Sequence, residues 1–410
     1  MTDKEIKVGV LAPLSGYAAF LGEVEVDAVK AFLFDANAKG GAKGKQYRVV
    51  VADTRFEPAT EAVGARRLVE QEKVFALFTT FSDTIGPYVA SKGIPNFAFG
   101  IVPPAFSSKY PTIYPVGLDT VDSITTMAYT LTQVLKKPIK SVAIAYGTQN
   151  IAWGQWADYA KKAWEQFGVQ VKSMDRFNVS DGDCTQLVLK IQNLNVDFWQ
   201  VGNSLGWPLC GQAMHRQGYR PPQGFGGPYT DDINWGNQMG PGYDGVFAMT
   251  NGVSLQPDRK GTPWPYDPSG VAPAVDHYMD SMKKYSPKSG TLTDMEGIWP
   301  QSFWAQAKAL HEAVLRQTDA ITWEGVNKWL QAQKNWSSGI VSPGSFAPNC
   351  KTNGVQTYIY SYKWNAQANS VEETDWKPYG GVVKVPTEVK NKVMPGGGDC
   401  YLTAYADAKL

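Results

Sequence analysis

Across the first 250 residues, short apolar runs alternate with segments of helical period, and that alternation leaves a chain few ways to fold. The runs IKVGVLAP, YRVVVAD, VFALFTTF and PNFAFG are separated by helical patterns. In EVEVDAVKAFLFDANA, Val24, Ala28, Ala31 and Phe32 fall on one face of a helix. PATEAVGARRLVEQE opens with Pro58, in a first turn where a missing N–H costs little. Strands joined by helices pair in parallel through right-handed crossovers, so the expected fold class is α/β with doubly wound parallel sheets.

The pattern then runs a second time. SVAIAYG leads through a polar turn into the amphipathic IAWGQWADYAKKAWEQF; VDFWQVGNS precedes a helix through CGQAMHRQG, and QGFGGPYTDD follows. Val8 with Val142, and Asn96 with Gly224, are matching landmarks at similar offsets. Two lobes of one topology are therefore expected. Beyond them come a Pro-rich loop, QPDRKGTPWPYDPSGVAP, and helices in VDHYMDSMKKYS, IWPQSFWAQAKALHEAVLRQ and TWEGVNKWLQAQ. An alternating strand, QTYIYSYKW, and a Pro/Gly-rich tail complete the chain.

Ligands of open parallel sheets bind beyond the carboxyl ends of the strands. The loops there read APLSGYAAFLG, TTFSDT and AFGIVPP in the first lobe, and YGTQNIAWG, VGNSLGW and GGPYTDD in the second. They are rich in Ser, Thr, Asn, Gly and aromatics and poor in His. That mixture suits holding a small organic molecule by neutral hydrogen bonds and stacking, and suits acid–base chemistry badly. Charge agrees: 39 Lys and Arg against 38 Asp and Glu give a net charge of +1, without the basic excess of a nucleic-acid binder. No apolar run is long enough to span a bilayer. Three scattered His and no CxxC pair offer no transition-metal site, DGDCT is too short for an EF-hand loop, and GGAKGK lacks the ending of a P-loop. No cofactor is expected.

One catalytic pattern is present. Gly202-Asn203-Ser204-Leu205-Gly206 has the form of a nucleophile elbow between a strand and a helix, which makes a serine hydrolase using Ser204 a rival reading. Such an enzyme needs a later His on a loop at the top of the sheet. His215 lies on the helix immediately after the motif, and His277 and His311 fall mid-helix. Four cysteines, Cys184, Cys210, Cys350 and Cys400, form two plausible pairs, which points to disulfides and an oxidising compartment, with four buried thiols as the alternative. A strand begins within a few residues of Met1 with no leader before it. Either the protein is cytosolic or a signal peptide has been removed, and the cysteines favour export.

In order and spacing these segments resemble the type I periplasmic solute-binding proteins of ABC importers, and among them the leucine/isoleucine/valine-binding group. The likeness covers residues about 5 to 330. It is carried by IKVGVLAPLSG, by YRVVVADTRFEPATEAVGARRLVEQEKVFALF, by YGTQNIAWGQ, and by VDFWQVGNS with QAMHRQGY and GFGGP after it. It implies two lobes joined by three hinge crossings: 1–119 plus 253–331, 120–252 plus 332–375, and a C-terminal extension at 376–410. It further implies a non-enzymatic monomer, periplasmic or extracellular, that closes on a small molecule and hands it to an ABC permease. A ligand-sensing receptor domain on the same two lobes is the other role such a fold implies.

The resemblance puts the ligand in the cleft between the lobes. It nominates Ser15, Tyr17 and Phe20 on the first turn, Phe81 and Ser82 after the third strand, and Phe99 and Gly100 after the fourth. Trp153, Asn203, Ser204 and Tyr229 are its nominees in the second lobe. In amino-acid binders of this group a Ser at the Ser82 position grips the ligand carboxylate, helped by a Thr after the fourth strand. Here FAFGIV supplies Phe99, Gly100 and Ile101, and that Thr is missing. An acidic residue after the Gly-Pro of the second lobe holds the ligand ammonium; here Tyr229 stands in its place. A buried ammonium without a carboxylate is strongly unfavourable. The implied ligand is therefore an aromatic or otherwise apolar small molecule, with a carboxylate held by Ser82 and backbone N–H groups as one form it could take. The alternative for Phe81, Phe99 and Trp153 is that they are core residues.

Overall fold

A strand flanked by helices on both faces is buried almost throughout, and β1 (Glu5–Ala12) behaves so, with every residue from Val8 onward buried. The computed structural model describes residues 1–16, 18–80, 83–99, 109–117, 120–148, 151–178, 181–202, 207–228, 233–255, 268–348, 350–352, 357–373, 383 and 385–394. Its contacts divide the chain into two units. The first takes the described parts of Met1–Asp119 and Gly252–Val355, the second those of Thr120–Asn251 and Gln356–Asp399.

The first unit opens with β1, α1 (Ala19–Ala38), β2 (Gln46–Asp53), α2 (Pro58–Arg66), β3 (Ala76–Thr79), α3 (Gly86–Lys92), β4 (Asn96–Phe99) and β5 (Ile113–Val116). The sheet order is β2-β1-β3-β4-β5, parallel throughout. Pro58 sits in the first turn of α2, as its position in the sequence predicts. β5 is not among the strands expected from the sequence, because IYPV carries Pro115. It is tolerated because β5 is the sheet edge, where a missing donor breaks no interior ladder.

The second unit repeats the plan with α4 (Thr120–Tyr129), β6 (Ser141–Gly147), α5 (Ile151–Glu165), β7 (Gln170–Phe177), α6 (Thr185–Leu194), β8 (Phe198–Val201), α7 (Trp207–Arg216), β9 (Phe225–Pro228), α8 (Ile233–Met239) and β10 (Phe247–Thr250). Its parallel strands run β7-β6-β8-β9-β10, the same winding as in the first unit. The chain then returns to the first unit for α9 (Pro268–Tyr285), α10 (Leu292–Met295), α11 (Ile298–Leu315), α12 (Trp323–Gln331), β11 (Ser345–Ala347) and β12 (Cys350–Thr352). It ends in the second unit, where β13 (Tyr358–Asn365) and β14 (Ser370–Glu373) extend the sheet antiparallel beside β10, followed by α13 (Thr387–Val393).

Aromatic packing fills both cores. In the first unit Phe78 stacks on Phe97 at 5.5 Å, and Phe32 of α1 meets Trp304 of α11 edge-on at 4.9 Å. In the second, the Trp164 indole N–H donates to Gln200 Oε1 at 2.5 Å beneath the sheet. α13 is fastened by charge as well as by apolar contact. Lys390 pairs with Asp122 of α4, both fully buried, and Thr357 donates its hydroxyl to the same carboxylate. Val383, Val385 and Val389 pack with Tyr129 and Phe167 around that pair. Cys184, at the start of α6, is joined to Cys210 on α7. Cys350 is disulfide-bonded too, and Cys400 lies outside the described residues. Among the described residues no helix is long and apolar enough to cross a membrane.

Candidate ligand-binding site

Strand order sets where each unit can open a crevice. From β1 the chain moves to β2 on one side and then to β3 on the other, so the connections leaving β1 and β3 diverge. β6 and β8 stand in the same relation in the second unit. Four of the six loops singled out in the sequence leave these strands, and the other two follow β4 and β9.

The turn after β1 is pinned by the last residue of β2. Asp53 Oδ1 accepts the N–H groups of Leu14 (2.9 Å), Ser15 (3.3 Å) and Arg55 (2.9 Å), and Oδ2 accepts the Ser15 hydroxyl at 2.5 Å. Partial burial raises the affinity of Asp53 for a proton, yet the Ser15 hydroxyl and the three backbone donors outweigh it and hold the carboxyl below its usual range. Ser15 thus donates to the protein and keeps its lone pairs for another partner. α1 starts close behind: a Cβ on Gly22 would stand 2.1 Å from the Pro13 carbonyl oxygen, so only glycine permits the approach. Phe20, in the first turn of α1, is half-buried.

At the end of β3, Thr80 donates its hydroxyl to Glu25 of α1, 3.0 Å from both carboxyl oxygens. The Trp299 indole N–H reaches Glu25 Oε1 at 3.1 Å from α11. Burial drives the Glu25 carboxyl well above its ordinary range, against the pull of the Thr80 and Trp299 hydrogen bonds. At the end of β4, Phe99 is 1% exposed. Its ring lies 4.2 Å from that of Trp299 and stacks on Phe303 at 5.8 Å.

In the second unit Trp153 is 2% exposed and meets Trp156 edge-on at 6.1 Å. Trp156 is fully buried against Gly202, the residue that follows β8; a Cβ there would fall 2.2 Å from the indole. Of the nominated residues, Ser15, Phe20, Phe99 and Trp153 are described. Tyr17, Phe81, Ser82, Gly100, Asn203, Ser204 and Tyr229 lie outside the described residues. Sequence reasoning missed Glu25, Thr80, Trp156 and Trp299. A glutamate on the apolar face of EVEVDAVKAF and two tryptophans three apart before a strand-end glycine were the available signals.

The histidines are occupied elsewhere. His277 contacts Asp35 Oδ2 at 2.8 Å, and His311 contacts the Tyr47 hydroxyl at 3.0 Å, both within the first unit. His215 is exposed on α7. Among the described residues no grouping of His, Cys, Asp and Glu suits a metal ion. The described geometry consists of pinned turns and buried aromatic packing at the carboxyl ends of parallel strands.

The family model described as periplasmic binding protein matches residues 5–369, and the chain belongs to that family. It is similar to the Leu/Ile/Val-binding protein homolog 7 of Brucella suis biovar 1 (strain 1330), 27% identical over 242 residues, which is 55% of this chain and 60% of the relative. The chain thus spans about 60% of the length of that curated relative. It is also similar to the Leu/Ile/Val-binding protein of Citrobacter freundii, 24% identical over 378 residues covering 89% of this chain and 88% of the other. Two solved structures share the fold. One is a fatty acid ABC transporter substrate-binding protein from Thermomonospora curvata (TM-score 0.77, 18% identity, 97% of this chain and 96% of that one). The other is a solute binding protein of an ABC transporter from Rhodopseudomonas palustris BisB5 in complex with 3,4-dihydroxy benzoic acid (TM-score 0.70, 15% identity, 94% and 99%).

Proposed function

We propose that this protein is the solute-binding component of an ABC importer, acting outside the cytoplasmic membrane as a monomer. It captures a small aromatic or otherwise apolar carboxylate with the strand-end loops of its two units and delivers it to a membrane permease. The observation that carries the reading is the family match over residues 5–369, taken with strand orders that open diverging loops after β1, β3, β6 and β8. Tyr229 in place of the ammonium-holding acid argues against an α-amino acid, and it favours an aromatic surface in the second unit. The names of similar proteins span leucine, fatty acids and 3,4-dihydroxybenzoic acid, so the fold accommodates carboxylates of quite different bodies. The Cys184–Cys210 bond supports export to an oxidising compartment. A hydrolase built on Ser204 finds no support in histidines that contact Asp35 and Tyr47.

The test is thermal unfolding against a panel of benzoates, medium-chain fatty acids, phenols and branched-chain amino acids. A ligand at a hundred times its dissociation constant adds about 2.7 kcal/mol, a shift of several degrees. Aromatic or fatty acids are expected to stabilise the protein and leucine and valine to leave it unchanged. Stabilisation by leucine alone would overturn the ligand class; no shift with any carboxylate would overturn the solute-binding reading.

A further inference from the structure

Among the described buried carboxyl groups of the first unit, Glu25 is the one whose partners reach the ends of two strands. We infer that Glu25 is a positioning residue for the solute site: it locks the carboxyl ends of β3 and β4 to one another through Thr80 and Trp299. Glu25 projects from α1 and is 0% exposed. On one side it takes the Thr80 hydroxyl, from the residue that follows β3, at 3.0 Å. On the other it takes the Trp299 indole N–H at 3.1 Å. Trp299 in turn lies 4.2 Å from Phe99, the last residue of β4. Three elements distant in sequence therefore meet at one carboxyl group, directly below the two strand ends where the proposed site begins.

Glu61 of α2 is a second buried carboxyl, close enough to Glu25 to feel its charge. It is 6% exposed, the Thr84 side chain hydrogen-bonds to it, and Asp83 lies close enough to repel its charge. Burial first, then the nearby Asp83 and Glu25, push the Glu61 carboxyl well above the ordinary range. Burial thus raises the affinity of both carboxyls for a proton. Through its two hydrogen bonds Glu25 acts as a wedge that fixes the strand ends.

The inference rests on the solute-binding reading for its affinity arm only, and a second arm is independent of any ligand. Thr80→Val keeps the shape at that position and removes the hydroxyl, Trp299→Phe keeps a ring on Phe99 and removes the N–H, and Glu25→Gln preserves hydrogen-bonding capacity at the wedge. Hydrogen exchange in the ligand-free protein should quicken at the β3 and β4 amides in Thr80→Val and Trp299→Phe, with β2 unmoved and the unfolding temperature near that of the parent. Glu25→Gln should exchange as the parent does. Titration with 3,4-dihydroxybenzoate should show about tenfold weaker binding for the first two variants and a change under about twofold for Glu25→Gln. Unchanged exchange at β4 in Thr80→Val, or a Glu25→Gln variant as impaired as Glu25→Ala, would overturn the positioning role. A parent protein that binds no panel solute while the exchange pattern holds would count against the solute reading and leave the wedge standing.

Discussion

Replacing Lys390 by Met should unfasten the C-terminal helix and cost the second unit several kcal/mol. The Lys390 ammonium and the Asp122 carboxylate are 1% and 0% exposed, so neither charge can turn to water when the other is removed. Removing one partner of such a buried pair costs roughly 3–5 kcal/mol, because the survivor keeps its desolvation without its counter-charge. The Thr357 hydroxyl still donates to Asp122 in the Met variant, which places the expected loss toward the lower end of that range. For a cooperative unit of 150–250 residues each kcal/mol moves the midpoint by roughly 2–4 °C, so calorimetry should record a fall of about 6–12 °C. Asp122→Asn should cost at least as much, since it strands an ammonium. The pair Asp122→Leu with Lys390→Met should cost less than the two single changes added together, because no charge is left behind. Single variants within about 1 kcal/mol of the parent, or a strictly additive double, would show that the pair contributes nothing beyond its volume.

Three further outcomes can be checked on the same instruments. Lys351 is 1% exposed, its ammonium hydrogen-bonds the Pro111 carbonyl at 2.7 Å and the Ile113 carbonyl at 2.5 Å, and burial pushes it down to about 7. The unfolded chain holds that proton until about pH 10, so between pH 7 and 10 the parent should gain stability relative to Lys351→Met at up to about 1.4 kcal/mol per pH unit; a flat difference would refute the shift. Gly202→Ala drives a methyl to 2.2 Å from Trp156 and should cost at least about 2 kcal/mol by denaturant titration, a loss that the further change Trp156→Phe partly restores. Opening the Cys184–Cys210 bond, which closes a sequence separation of 26, should cost about 3 kcal/mol; an unfolding midpoint unmoved by Cys184→Ser with Cys210→Ser would contradict it.

The fold was legible because burial on both faces leaves a mark that needs no partner to read. Val8 to Ala12 are apolar or small because helices cover the strand above and below, and the same holds for the runs that became β3, β4, β6 and β8. β5 escaped because its Pro115 is a breaker everywhere except at an edge, and edge position is a property of the sheet, not of the segment. The site was legible as a set of loops and much less so as a set of roles. Ser15 was nominated as a ligand contact, and its hydroxyl donates to Asp53, 38 positions away, a pairing that no local pattern announces. Phe99 and Trp153 were read as ligand walls with core packing as the alternative, and their rings are 1% and 2% exposed. Aromatic residues at strand ends look alike in sequence whether they face a solute or a helix. Glu25 was passed over for the converse reason: one acid in an apolar helical face reads as an exception until Thr80 and Trp299 are seen to use it.

The two units reach the same winding by different means at the strand ends. In the first, polar groups do the fastening: Asp53 gathers the turn after β1, and Glu25 gathers the ends of β3 and β4. The hydroxyls of Ser15 and Thr80 and the N–H groups of Leu14, Ser15 and Arg55 are given to these two carboxyl groups, so they fix the local backbone. In the second, fastening is apolar: Trp156 lies flat on Gly202 at the end of β8, with Trp153 edge-on beside it. The two indoles are 0% and 2% exposed, so their packing fixes the strand end from within the core.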